Sequence, residues 1–272
     1  MILHNITPLL HLAIEASISA AREILEVYNG TFAVEHKADN TPLTEADKRA
    51  NDAIASRLAD SGLPVLSEEG RHAPYDERMH WERLWIVDPL DGTKEFVRRN
   101  GEFTVNIALV QGQTPVFGVI LAPVTGWLYY GGKSIGSFRM QISEWISSTR
   151  TSPITWTDLT TKSEKIPLPT HERPFRIVAS RSHMSAETQA YVDEKKSRWP
   201  NLELISSGSS LKICLVAEGS ADSYPRFAPT MEWDTAAGHA IAEGAGRSFS
   251  QPDRTPILYN KPDLLNPWFV VS

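Results

Sequence analysis

The interleaving of helix-period and strand-period segments constrains this chain more than any other feature. Leu10, Ile14, Ile18, Ala21, Leu25 and Tyr28 recur at three- and four-residue spacing. Thr7 is a candidate N-cap for this helix, Pro8 suits its first position, and Gly30 ends it. A second helix reads from Thr44 through Ala50, Ile54 and Leu58 on one face to Ser61 and Gly62. Strand-like runs follow at 64–67 and 84–87, then at 103–110, 116–121 and 127–130, the last three reading as an antiparallel meander. From 131 to 174 the pattern loosens into Ser, Thr and Pro and holds at most short strands. That stretch is the expected boundary between an N-terminal half, 1–150, and a C-terminal half, 151–272, forming one integrated unit. In the second half, strands at 175–179, 202–205 and 221–226 alternate with helices at 185–198 and 209–218. A helix from 234 to about 244 and a closing strand at 268–271 complete it. Elements mixed in this order imply α and β layers stacked on each other.

Charge narrows the partners. The net charge of −6 gives no general field for polyanions, which argues against a nucleic-acid polymer. An anionic ligand would have to be drawn by local features: metal ions, a few Lys or Arg, or helix N-termini. Cys214 is the single cysteine, so no intramolecular disulfide forms and a reducing, cytoplasmic compartment is expected. Within the apolar run 213–216 it reads as a core thiol and not a nucleophile. No segment has the length and apolar purity of a membrane span, and the apolar run 6–14 lacks the basic region of a signal peptide.

The most informative chemistry lies in Trp85-Ile86-Val87-Asp88-Pro89-Leu90-Asp91-Gly92-Thr93-Lys94-Glu95-Phe96. An apolar strand ends at Asp88, Pro89 turns the chain, and Asp91 follows three residues later. Two carboxylates and the Leu90 carbonyl can then face one point, the oxygen-rich environment a hard divalent cation requires. Gly92 and Thr93 offer N–H groups and a hydroxyl to a phosphate. A plain turn is the competing reading of this fragment. Three further acids each have a structural alternative. Glu68, beside Glu69, could be solvated surface, Asp234 a helix N-cap, and Asp47 a capping-box partner of Thr44. The small residues Ala236, Ala237 and Gly238 would let a backbone or a ligand approach that helix closely.

Taken in order, Leu-Thr-Glu-Ala-Asp at 43–47, Ser-Glu-Glu at 67–69, the 85–96 segment and Trp-Asp-Thr-Ala-Ala-Gly-His at 233–239 resemble the inositol monophosphatase superfamily. The resemblance runs from about Leu9 to the C-terminus and is weakest over 131–174. Asp-Gly-Thr-Lys-Glu-Phe followed by Asn100-Gly101-Glu102-Phe103-Thr104-Val105-Asn106 is most similar to its 3'(2'),5'-bisphosphate nucleotidase branch. The resemblance implies an α+β/α/β fold, a layered αβαβα sandwich. It implies two or three Mg²⁺ ions held by Glu68, Asp88, Asp91, Asp234 and the Leu90 carbonyl, with Asp47 and Thr93 as a hydrogen-bonded catalytic pair that helps take a proton from the attacking water. Substrate contacts are implied at Glu68, Leu90, Asp91, Gly92, Thr93 and Asp234. Contacts to the nucleotide and its second phosphate are implied at Ser180, His183, Gly208 and Lys212, with Arg226 a further candidate. The Gly-Ser-Ser run 208–210 opening a helix is itself suited to an anion.

The implied reaction is removal of the 3'-phosphate of adenosine 3',5'-bisphosphate, a by-product of sulfate activation, to give AMP. Adenosine 3'-phosphate 5'-phosphosulfate is a second substrate the same pocket could admit. The alternative is an inositol or sugar phosphatase sharing the metal site without the nucleotide contacts. A decayed, non-catalytic sensor is disfavoured because every expected acid is present. Relatives also suggest peripheral contact with the cytoplasmic face of the bacterial inner membrane. No basic amphipathic helix supports that contact, and a homodimer is left open.

Overall fold

The first helix spans Ile2–Asn29 and buries Leu10, Ile14, Ile18, Ala21 and Ile24 along one side. This is a computed structural model describing residues 2–36, 42–147, 152–169, 172–179 and 184–272. The helix begins more than a turn before the expected start at Pro8. Ile6 extends the buried stripe one turn upstream of Leu10, and Pro8, in the second turn, gives up one intrahelical bond to that extension. The second helix, Glu45–Leu58, packs against the first, and both lie on one face of a sheet.

That sheet has seven strands in the order Val65–Ser67, Arg83–Asp91, Thr104–Gln111, Thr114–Ala122, Trp127–Gly132, Gly136–Gln141 and Glu164–Ile166. The first pair is parallel and the others antiparallel. Side chains alternate between its faces. Trp85, Val87, Val105, Ile107 and Leu109 meet the first two helices, while Leu84, Ile86, Ala108 and Val110 face the opposite core. Burial on both faces is why these strands read as continuous apolar runs. The irregular 131–174 stretch supplies the last two strands. Its short helices Ser143–Ile146 and Trp156–Lys162 place Trp145, Ile146 and Leu159 in the core beside the first helix.

Helices Glu232–Gly244 and Leu211–Glu218 cover the opposite face. Beyond them Arg176–Ala179 runs parallel to Glu203–Ser206, and Tyr224–Arg226, Phe269–Val271 and Phe249–Ser250 form a small antiparallel sheet. A parallel bridge from Ile177 to Ser223 joins the two groups. The outer helix Ala186–Arg198 is tied on through the Tyr191 hydroxyl, 2.9 Å from Ser223 Oγ. Helix, sheet, helix, sheet and helix follow one another, the expected αβαβα sandwich. Among the described residues no helix is long and apolar enough to cross a membrane.

The run of small residues in the Glu232–Gly244 helix marks backbone contact with the sheet. A β-carbon on Gly118 would lie 2.1 Å from the Ala237 carbonyl oxygen, whereas Gly238 faces the Leu211–Glu218 helix, where a β-carbon would lie 2.6 Å from Ile213 Cδ1. No side chain separates helix from strand at Gly118.

Candidate active site

The turn expected at Pro89 is a β-bulge. The strand continues to Asp91, with Asp88 opposite Asn106 and Asp91 opposite Thr104, so three steps on one strand match two on its neighbour. A bulge bends the strand and re-aims its side chains. Proline is tolerated here because its missing N–H falls where the ladder is already interrupted. The Leu90 N–H folds back to Asp88 Oδ1 at 3.0 Å. Gly92 follows at φ 95°, and a β-carbon there would meet Ser209 Cβ at 3.2 Å and the Glu102 carbonyl at 3.3 Å. The glycine therefore serves both a left-handed backbone and a close approach.

Asp234 is the third residue of its helix and not its N-cap, which is Met231. Its Oδ2 accepts from the Met231 N–H at 2.8 Å. The helix seated on the sheet carries Asp234 to the bulge. Asp88, Asp91 and Asp234 each offer an oxygen within 4.8 Å of the others. Glu68, at the end of the Val65–Ser67 strand, stands outside that tight group. Its charge nevertheless helps to raise the pKa of both Asp88 and Asp234. Burial is the main cause at Asp88, which is pushed well above the ordinary carboxylate range, with Glu68, Asp91 and Asp234 adding to it. Burial, then the charge of Asp91, pushes Asp234 to about 8. An all-oxygen cluster of mutually repelling acids withdrawn from water fits a hard divalent cation such as Mg²⁺.

Asp47 is the capping-box partner of Thr44 and also meets Thr93. One oxygen, Oδ2, closes the capping box by accepting from the Thr44 N–H and hydroxyl, each at 2.7 Å. The other, Oδ1, accepts from the Thr93 hydroxyl at 3.2 Å, and that hydroxyl also lies 3.4 Å from the Leu90 carbonyl. Burial raises the Asp47 pKa, opposed by the Thr44 and Thr93 hydrogen bonds. Asp47, Asp88, Asp91 and Asp234 thus share one arrangement. Each has an oxygen pinned by a backbone N–H, which fixes the carboxylate's direction and leaves its second oxygen for a ligand or catalytic partner.

A cleft of about 540 Å³ opens beside the acids, lined by Asp91, Gly92, Gly208, Lys212, Arg226 and Asp234 among others. Gly208 is required by packing, since a β-carbon would lie 2.6 Å from the Glu102 carbonyl. Lys212 is buried and not solvated. Its ammonium donates to the Ser209 carbonyl at 2.7 Å and approaches that of Ser207 at 3.4 Å, and burial lowers its pKa to about 8. Arg226 Nε is buried without a hydrogen-bond partner among the described residues, while Nη2 donates to the Pro229 carbonyl at 3.1 Å. Ser180 and His183 lie outside the described residues. Cys214 is buried, as expected of a core thiol. The site also contains Asn106, for which sequence reasoning assigned no role, and Ser210, which the sequence marks only as part of the anion-suited 208–210 run. Asn106 lies within the stretch that carried the resemblance, but nothing local announces its contact with Asp91 at 3.4 Å.

Five layers with a carboxylate triad at their junction define a layered αβαβα protein built around an acidic, metal-suited centre. The chain belongs to the inositol monophosphatase family, whose sequence model matches residues 5–268. The family's members are metal-dependent phosphatases, generally using Mg²⁺. The 3'(2'),5'-bisphosphate nucleotidase CysQ of Escherichia coli K12 is 41% identical over 259 residues, spanning 93% of this chain and 95% of that one. A crystal structure of CysQ from Bacteroides thetaiotaomicron aligns with a TM-score of 0.87 and 51% identity over 96% of this chain and 95% of its own. The extragenic suppressor protein suhB of Bartonella henselae, at 20% identity and TM-score 0.73 over 97% of this chain and 93% of its own, shares the fold.

Proposed function

We propose that the protein is a Mg²⁺-dependent 3'(2'),5'-bisphosphate nucleotidase that converts adenosine 3',5'-bisphosphate to AMP in sulfur metabolism. The observation that carries this reading is a single cleft lined both by metal-suited acids and by Lys212 and Arg226. A ligand with two phosphates can place one at each set, and the volume is in the range of small-ligand pockets. An inositol monophosphate has only neutral hydroxyls, and no second phosphate, to offer the second set. The CysQ relatives, matched over nearly their whole length, support the same substrate.

In this reading Glu68, Asp88, Asp91, Asp234 and the Leu90 carbonyl hold two or three Mg²⁺ ions. The chemistry Mg²⁺ supplies when held there is neutralisation of phosphate charge and a lower pKa for water at the site. Asp47 takes the Thr93 O–H as a donor, which turns the Thr93 lone pairs outward to accept a proton from the attacking water. As Thr93 takes the water's proton its own hydroxyl proton passes to Asp47; the water oxygen bonds to phosphorus, the bond from phosphorus to the 3'-oxygen breaks, and that oxygen takes a proton from solvent. Gly92 and Thr93 hold the phosphoryl oxygens. Lys212 and Arg226 hold the second phosphate with Gly208, and Ser180 and His183 complete the nucleotide contacts. The two halves work as one catalytic unit, because the cleft draws on 91–102 and on 207–235 alike.

Initial rates with Mg²⁺ on adenosine 3',5'-bisphosphate, adenosine 3'-phosphate 5'-phosphosulfate and inositol 1-phosphate test the proposal. The expected order has the first substrate fastest, with Lys212→Gln and Arg226→Gln each raising its KM about tenfold or more, the loss of one charge-assisted hydrogen bond. Faster turnover of inositol 1-phosphate overturns it.

A further inference from the structure

Three buried polar side chains, Thr104, Asn106 and Ser210, lie between the loop at 207–210 and the acidic triad. Ser210 joins the two. Its N–H donates to Asp91 Oδ2 at 2.6 Å, and its hydroxyl donates to the Asp234 backbone carbonyl at 2.7 Å. The same hydroxyl accepts from Asn106 Nδ2 at 3.0 Å, and Asn106 Oδ1 accepts from the Thr104 hydroxyl at 2.9 Å. The Thr104 hydroxyl is in turn 3.1 Å from Ser209 Oγ. Ser209 holds a left-handed backbone at φ 45°, uncommon for a residue with a β-carbon, and its carbonyl receives the Lys212 ammonium at 2.7 Å. The loop whose carbonyls hold Lys212 therefore also directs one carboxylate of the triad and braces the backbone of another.

We propose that Ser210 is a positioning residue that couples the second-phosphate loop to the acidic triad, so that occupancy of either site tightens the other. The inference rests on the bisphosphate reading above. Lys212 directs two of its three N–H groups toward the carbonyls of Ser207 and Ser209, and a phosphate drawn to the third pulls the ammonium, and with it the loop it holds. Any adjustment of Ser209 passes to Ser210 through one peptide unit, and from there to Asp91 and Asp234. Linkage makes the effect reciprocal. A substrate lacking the second phosphate would then lose turnover as well as affinity, because the metal ligands are less well set.

The test is the Mg²⁺ dissociation constant, measured by calorimetry with and without saturating AMP, which carries the 5'-phosphate and no scissile group. In the unaltered protein AMP is expected to tighten Mg²⁺ about fivefold or more, the low end of allosteric coupling. Ser210→Ala keeps the backbone bond to Asp91 and loses the hydroxyl links. Its tightening should fall to about twofold or less, while AMP alone still binds, and Ser210→Thr should restore it. Thr104→Val cuts the same chain one step away and gives an independent reading if Ser210→Ala fails to melt cooperatively. Full tightening in the folded variants, or none in the unaltered protein that binds AMP, overturns the coupling and leaves the nucleotidase reading intact. Absence of AMP binding together with turnover of inositol 1-phosphate overturns both.

Discussion

Asp47 closes the capping box of Glu45–Leu58 with one oxygen and holds the Thr93 hydroxyl with the other. The capping contact and the Thr93 contact proposed for catalysis, which competed in the sequence, coexist because a carboxylate has two acceptor oxygens. Asp47→Asn should lower kcat on adenosine 3',5'-bisphosphate about a hundredfold or more and leave KM within a few-fold, as loss of a proton-accepting group does. Near-native turnover would remove the pair from the mechanism. The triad carries a second consequence at this scale. Asp234 is raised to about 8 without metal, so the metal-free fold binds its proton more tightly than the unfolded chain does. The stability this group contributes is present in full below the ordinary aspartate range and is lost as pH rises through about 8. Protein stripped with EDTA should therefore melt at lower temperature at pH 9 than at pH 6, with Mg²⁺ flattening the difference. A profile indifferent to metal would show that the acids do not share a site.

Among elements, the Arg83–Asp91 strand shows what a motif conceals. Asp-Pro-Leu-Asp-Gly announced two carboxylates facing one point, and they do. The device is a bulge whose register depends on the neighbouring Thr104–Gln111 strand, which no single-segment reading contains. The Glu232–Gly244 helix was legible from its small residues, but their purpose was not. Alanine and glycine admit either a ligand or a backbone, and here the backbone of Gly118 occupies the space. Gly118→Ala should destabilise the protein by about 1–3 kcal/mol, the usual cost of overpacking, read from urea unfolding midpoints at unchanged m-value. An unchanged midpoint would mean that helix and strand part easily.

At the scale of the whole molecule, the layer order and the meeting of Asp88, Asp91 and Asp234 were readable, because periodicity and ordered motifs are properties of the chain itself. Depth was not. Lys212 looks like an exposed lysine beside an anion loop until five layers bury it. The link from Ser210 to Asp91 spans 119 residues, and the one from Ser210 to Asn106 spans 104, beyond any local pattern. The stacked layers also gather acids from three distant segments, at a cost in repulsion that a cation relieves. Mg²⁺ at a hundred times its dissociation constant should stabilise the fold by about 2.7 kcal/mol, or about 5–10 °C in melting temperature. Potassium at equal ionic strength should give no such shift, and equal shifts from both would reduce the effect to screening.

The contact between Gly118 and Ala237 acts as a shim. It sets the height at which the Glu232–Gly244 helix rides on the sheet, and so the reach of Asp234 toward Asp88 and Asp91. One added methyl group there would displace Asp234 relative to Asp88 and Asp91 without touching the cleft. If the triad holds the proposed Mg²⁺, graded substitutions at Gly118 offer a dial on cation affinity from a position outside the cleft lining.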